Sequence, residues 1–296
     1  MKYLYKSISL VVLFFFINTN YTLFAQDYGF KIGTNWTSFL GQKEIDAKGN
    51  PLESYQPAMG FQLGFTSNYP FSDNTGLRIE MTYAQKSMTL NYEGEATKFF
   101  YTQGTNRRIV AKGHLNSSLK ITNTYFEVPL TLYMKTESNF EFAAGVSFSF
   151  LASSKGKGEM TFNGNTEGGY AIPEFTAELN YNFKRDKDST AILSARTTPV
   201  EESGTVRLPQ SVGAYYENKT SEHARFNTVD IGLVGEIKYW LNDNIGISGR
   251  ATYSLKDVTN NDSDFSQCKI DSNKNLTTTQ DYDRFLTLQL SLVLKF

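Results

Sequence analysis

Cysteine is almost missing from this 296-residue chain: Cys268 stands alone, so no internal disulfide forms and no cysteine-based zinc cluster exists. Histidine is nearly as scarce, with only His114 and His223, which leaves most transition-metal chemistry short of ligands. Charged residues make up only 20%, and 29 basic groups stand against 30 acidic ones. That balance gives no electrostatic case for nucleic acid as a partner. Collagen, coiled-coil and disordered-tail compositions are excluded as well. Past the first 25 residues no apolar run is long enough for a membrane helix, and a 3.6-residue period is hardly seen.

What fills the space is aromatic and small polar material, with 23 Phe, 18 Tyr and 2 Trp among many Thr, Ser, Asn and 22 Gly. The N-terminus has its own pattern. Lys2 and Lys6 precede an apolar run from Ile8 to Ile17, and Leu23-Phe24-Ala25 follows. A positive end, a short apolar middle and a small residue at the cut describe a secretory leader. We therefore expect residues 1–25 to be a cleaved signal peptide and 26–296 to form one domain.

In that domain the informative period is two. Eight runs alternate apolar and polar residues, including Phe30-Ile32-Thr34-Trp36, Leu77-Ile79-Met81-Tyr83, Phe126-Val128-Leu130-Leu132-Met134 and Leu286-Leu288-Leu290-Leu292-Leu294-Phe296. Each reads as a strand with one apolar and one polar face. Successive connections measure about 20, 10, 35, 5, 75, 5 and 30 residues, so long and short alternate. The short ones are Asn68–Thr75, Lys135–Asn139 and Trp240–Asn244. A connection of that greatest length counts against a compact soluble domain, whereas short periplasmic turns and long external loops are the rule in a transmembrane β-barrel. The expected fold is all-β: an up-and-down antiparallel transmembrane barrel of eight strands, or ten if Phe175–Phe183 and Ala191–Thr197 join the wall. We favour the pair as an external hairpin within a large extracellular loop, 155–225. Tyr28, Trp36, Tyr69, Phe71, Tyr83, Phe140, Tyr239, Trp240, Tyr253 and Phe296 fall where strands would leave the apolar band, as aromatic girdles do.

If the apolar faces meet lipid, the polar faces line the lumen. They carry Lys31, Arg78, Lys238, Arg250 and Lys295 against Glu80, Glu127, Glu141, Asp230 and Glu236. Eight strands enclose space that side chains can fill, and buried ions persist when paired. These charges read as a structural plug, with Glu127 a candidate neighbour of Arg78 and Glu80; a polar conduit or proton relay is the alternative. Pro129 falls in the same phase and marks an expected bulge.

The strand motifs, in order, carry a family resemblance. Gly29-Phe30-Lys31-Ile32-Gly33-Thr34-Asn35, Glu80-Met81-Thr82-Tyr83-Ala84-Gln85-Lys86, Tyr125-Phe126-Glu127-Val128-Pro129-Leu130, Asp230-Ile231-Gly232-Leu233, Tyr253-Ser254-Leu255-Lys256-Asp257-Val258 and Leu292-Val293-Leu294-Lys295-Phe296 resemble the PorT-like outer membrane β-barrel family of Bacteroidetes. The resemblance implies the outer membrane of a Gram-negative bacterium and a small barrel. It also implies that Leu292, Leu294 and Phe296 form the signal read by the barrel assembly machinery. The family's namesake is tied to a secretion and gliding apparatus, and fold alone does not transmit that role.

A plugged barrel leaves function to the loops. Glu93–Lys120 carries a net charge of +3 and Asp257–Asp283 one of −4, so the two can cross-pair, or the basic one can meet anionic lipopolysaccharide. Outer-membrane lipid and lipopolysaccharide are thus the expected surroundings, and no functional partner is legible. Ser221-Glu222-His223 and His114 near Ser117 place nucleophile and base types close in sequence but without an orienting third group. Asp262, Asp264 and Asp271 lack the glycine-marked spacing of a calcium loop. No catalytic, cofactor-binding or metal residue is assigned. The expected activity is non-enzymatic: loops that bind a ligand or partner, or an envelope-structural role. A secretion-assembly component and a lipid- or peptide-modifying enzyme are the alternatives.

Overall fold

The computed structural model describes residues 27–105, 107–187, 190–200, 204–217 and 224–296. The expected leader and the Ser221-Glu222-His223 triplet lie outside the described residues. Among the described residues thirteen strands run in chain order: β1 (Asp27–Leu40), β2 (Glu53–Pro70), β3 (Thr75–Tyr101), β4 (Arg108–Lys135), β5 (Phe140–Thr166), β6 (Ala171–Asn182), β7 (Ala191–Val200), β8 (Gly204–Val212), β9 (Val229–Trp240), β10 (Ile245–Ser254), β11 (Phe265–Ile270), β12 (Leu276–Thr278) and β13 (Arg284–Lys295). One 3-10 turn, Asn261–Ser263, precedes β11.

Backbone pairing draws a ring. β1 pairs with β2, β2 with β3, β3 with β4, β4 with β5, β5 with β9, β9 with β10, β10 with β13, and β13 back with β1, all antiparallel. First and last strands match from Gly29↔Lys295 to Leu40↔Arg284, so the ring leaves no open edge. Residues 71–74, 136–139 and 241–244 make the tight turns at one end. In the second of these, Asn139 takes a positive φ of 65°, a conformation asparagine tolerates better than most residues.

Three strands overshoot the ring. β3, β4 and β5 have 27, 28 and 27 residues, while about ten tilted residues suffice for an apolar band of ~25 Å. Most of Glu93–Lys120, expected as a loop, is therefore strand. Beyond the ring, β6 pairs antiparallel with β5, β8 runs parallel to β6 through Glu178↔Ser211 and Leu179↔Val212, and β7 pairs with β8. The expected hairpin of 175–183 with 191–197 is thus replaced: β6 folds back on β5, and β8 separates it from β7.

The overshooting strands change their inner chemistry as they rise. Within the ring, β5 turns Phe142, Phe148 and Phe150 outward, all exposed, and Glu141, Ser147 and Ser149 inward. Higher up, its exposed face carries Lys155, Lys157 and Glu159, while Met160 and Phe162 are buried. A one-residue register shift drives the change, since Tyr125 pairs with Leu151 but Thr124 with Ser153, leaving Ala152 as the extra residue of a bulge. β4 makes the same exchange without a phase break, from Glu127 and Thr131 inside to Leu119 and Leu115 inside. Pro129, where a bulge was expected, interrupts no register: Ile79↔Leu130 and Thr82↔Glu127 stay in step across it.

The upper section thereby gains an ordinary apolar core, with Leu115, Leu119, Met160, Phe162, Phe175 and Leu179 all buried. Rings of Phe100, Phe162 and Phe175 meet in pairs at 5.9 to 6.2 Å, a spacing that adds to area burial. Phe162→Ala should cost about 3–5 kcal/mol and speed proteolysis of the upper section in detergent, while the ring keeps its heat-dependent gel mobility. Unchanged cleavage kinetics would mean that this core does not hold the extension.

Candidate functional site: the ion-filled lumen and the platform above it

Three tiers of charge fill the ring. Nearest the tight turns, the Arg78 guanidinium donates to Glu141 and, at 2.7 Å, to Asn68 Oδ1. Lys238 donates to Glu141 at 3.0 Å, and the Trp240 indole to its other oxygen at 3.2 Å. Trp240, expected in a girdle, thus turns its polar edge into the lumen. In the middle, Glu236 is the hub, 2.7 Å from Lys31, 2.7 Å from Arg250 and 3.8 Å from Arg78, and Arg250 also bonds Glu80. In the upper tier, Lys86 lies between Glu127 at 2.9 Å and Asp230 at 3.4 Å. Ser149 and Ser254 donate to those two carboxylates at 3.2 and 2.9 Å.

Two of the expected lumen assignments change. Lys295 shares the inward phase but sits at the rim, partly exposed and 2.9 Å from Asp27, because its strand ends there. Lys86 takes its place inside. It continues the inward phase of Arg78, Glu80 and Thr82 along β3, a signal visible in sequence had the third run been extended by one more pair. Glu127 pairs with Lys86 and not with Arg78 or Glu80, since its cross-strand partner is Thr82. The interior still balances, with Lys31, Arg78, Lys86, Lys238 and Arg250 against Glu80, Glu127, Glu141, Asp230 and Glu236.

Aromatic rings pack over the upper tier. The Lys86 ammonium lies 4.7 Å from the Tyr125 ring centre and 5.8 Å from that of Phe285, and Phe285 packs on Phe39 at 5.9 Å. At the other end of β13, Leu292, Leu294 and Phe296 are exposed on the outer face, and the Phe296 amide donates to the Tyr28 carbonyl at 3.0 Å. A hollow of 1080 Å³ lies on the outer wall where Ala144, Gly235, Gly249 and Ala251 leave room among Leu132, Met134 and Phe142.

The platform separates groups that look close in sequence. His114 is exposed, and Ser117, three residues along β4, faces the other side, so no nucleophile–base contact exists there. Asp262, Asp264 and Asp271 are not brought together: Asp271 caps the turn before β12 by accepting from the Asn273 and Asn275 amides. Asp264 instead joins Asp281 and Asp283, a grouping that only the fold brings about. The +3 and −4 segments do touch, through hydrogen bonds: Lys98 donates to Gln267 at 2.9 Å and Arg108 to Asn275 at 2.8 Å. Their ion pairs go elsewhere, from Lys98 to Glu217 and from Lys274 to Glu167. Burial pushes both the Glu217 carboxyl and the Cys268 thiol above their ordinary values.

Breaking a buried pair strands its partner's charge. Glu236→Gln leaves Lys31, Arg78 and Arg250 around a neutral amide and should lower the unfolding free energy in lipid vesicles by about 3–5 kcal/mol. Adding Lys31→Met should recover part of the loss. A Glu236→Gln variant as stable as the parent would show that the lumen charges are solvated, not paired.

The family profile of the outer membrane protein beta-barrel domain matches residues 24–260. A comparison with curated proteins gives no match. Solved structures that are similar include Ail, the attachment invasion locus protein of Yersinia pestis, in complex with the heparin analogue sucrose octasulfate: TM-score 0.34, 9% identity, 92% of this chain and 99% of that one. Neisserial surface protein A gives a TM-score of 0.30 at 10% identity over 91% of this chain and 97% of that one. OprG from Pseudomonas aeruginosa gives 0.30 at 12% identity over 91% and 96%. With most of its length matched by the family profile, the chain belongs to the outer membrane protein beta-barrel domain family and is a β-barrel protein of the outer membrane.

Proposed function

We propose that the eight-strand ring crosses the outer membrane as a closed, non-conducting and non-enzymatic barrel, and that its raised β-extension is an extracellular binding platform. The observation that carries this reading is the division of the strands into two regimes. Where the outer face is apolar the interior is packed with paired ions, and where the outer face turns polar the interior becomes an apolar core. A lumen filled with paired side chains and capped by Tyr125, Phe39 and Phe285 leaves no path for solutes, and a platform with its own core can hold a fixed surface. The tight turns then face the periplasm. The separation of His114 from Ser117 favours binding over catalysis. The PorT-like resemblance rests on ring strands, whose pattern the membrane dictates, and it adds no assembly role.

The partner class best supported is the phosphate-bearing outer leaflet. Lys120 and Lys157 are direct cross-strand partners, with Lys155 opposite Thr122 beside them, and all three are exposed. Like charges placed opposite each other repel, and none of the three has an ion-pair or hydrogen-bond partner among the described residues. They stand a few residues above Phe126 and Phe150, the last outward phenylalanines of β4 and β5. That is the height of lipopolysaccharide phosphates.

Two measurements test this reading. In planar bilayers the parent should show no steady conductance steps; steps from the parent would defeat the plug. Each of Lys120→Gln, Lys155→Gln and Lys157→Gln should weaken lipopolysaccharide binding in detergent about fivefold, from ~1 kcal/mol per surface lysine. Affinity unchanged in the triple variant would remove the phosphate contact. A hydrolase or acyltransferase activity lost on His114→Ala or His223→Ala would overturn the non-enzymatic assignment.

A further inference from the structure

We infer that the long-loop mouth of the barrel carries a divalent-cation site, built from Asp264, Asp281 and Asp283 and suited to calcium. Three carboxylate oxygens, one from each residue, lie within 4.8 Å of one another. They come from both sides of the β11–β12 hairpin: Asp264 directly precedes β11, Asp283 directly precedes β13, and Asp281 lies between β12 and Asp283. Asp257 adds a fourth acid next to them, since it accepts from the Asp283 amide at 3.3 Å. Against these stands Arg225, which donates to Asp264 Oδ1 at 2.8 Å. One guanidinium leaves the cluster strongly negative.

The independent observation is which atoms lack partners. Asp283 is 1% exposed and Asp281 9%. Each has one oxygen occupied: the Thr259 hydroxyl donates to Asp283 Oδ2 at 2.6 Å, and the Gln42 amide to Asp281 Oδ2 at 3.3 Å. Among the described residues, no donor reaches the buried second oxygen of each, Oδ1. Neighbouring Asn261 spends its amide on the Asp281 carbonyl and on Asp257 Oδ2, both at 3.2 Å, and its Oδ1 is also buried without a donor. All three orphans are acceptors. Donor-poor oxygens clustered in one place cost free energy as they stand, and a hard cation satisfies several of them together.

The ligand set decides the class of ion. Calcium takes six to eight oxygens in a flexible geometry, from carboxylates, amide carbonyls and backbone carbonyls alike. Here the donors are three carboxylates, with no imidazole or thiolate in the group, which disfavours zinc and copper. Magnesium gives up its water reluctantly and is seldom held by an all-protein cage, a poor match to a group of three buried or nearly buried carboxylates. Gly41 closes one side of the site, because a Cβ there would come within 2.0 Å of Asp283 Oδ1. An ion bound here ties the β1–β2 connection, the 3-10 turn and the β11–β12 hairpin together over the mouth.

A shared proton is the competing account. Burial, together with Asp281 and Asp264 close by, raises the Asp283 carboxyl to about 7, so a neutral acid donating to its neighbour would also relieve the repulsion. The two accounts separate experimentally. Full-length protein refolded in detergent without lipopolysaccharide is stripped with EDTA and titrated with terbium and with calcium. We expect sensitised terbium luminescence that calcium displaces, and a β11–β12 hairpin that resists proteolysis several-fold longer with calcium. Asp281→Asn should weaken terbium binding at least tenfold while the barrel keeps its heat-dependent gel mobility, and Asp283→Asn should do the same if the first variant does not fold. Absence of terbium binding in the parent, or binding unchanged in a folded variant, would overturn the site in favour of the shared proton.

Discussion

Everything in this molecule depends on closing the backbone hydrogen bonds into a ring. A strand in hydrocarbon has no water to satisfy its amides and carbonyls, so an open edge is excluded and only helices or closed barrels remain. The chain meets the requirement by pairing β1 with β13 along their whole length. Once the wall is closed, each residue has one of two fates. Half the side chains face lipid and the other half face a lumen too narrow to be left empty.

That forced division explains the lumen. Ions transferred there lose hydration, and several kcal/mol per ion must be offset by partners at short range. The chain offsets the cost by giving Glu236 three cationic neighbours and by placing Lys86 between two carboxylates. The network crosses the barrel from wall to wall, joining strands that share no backbone bond. It thus fixes the cross-section of the ring as well as filling it.

Above the ring the outer face turns from apolar to polar, and the inner face turns from charged to apolar. β5 shifts its phase with the extra residue Ala152, while β4 keeps its phase and changes residue type. Because the long strands pass through both regimes without interruption, the extension is rigidly continuous with the wall. Charged groups such as Lys120 and Lys157 are therefore held at a set height, and the acidic hairpin is folded over the mouth instead of trailing from it.

The two-residue alternation by itself determined the strand faces, the three tight turns and most of the lumen charges, because period two leaves only two directions for a side chain to point. It missed Lys86 by ending the third run early, and it placed Lys295 inside because phase carries no information about height. The loop-like composition of 93–120 hid long strands, since a strand that is polar outside and apolar inside reads as weakly patterned when its flanking residues are Thr, Ser and Asn. Tertiary structure alone decided which ions pair, for Glu80 and Arg250 are 170 residues apart and meet across the lumen. It alone decided that Asp264, Asp281 and Asp283 converge. Alternation along one strand specifies a face; contact across a barrel depends on shear and register between strands, which no single strand encodes.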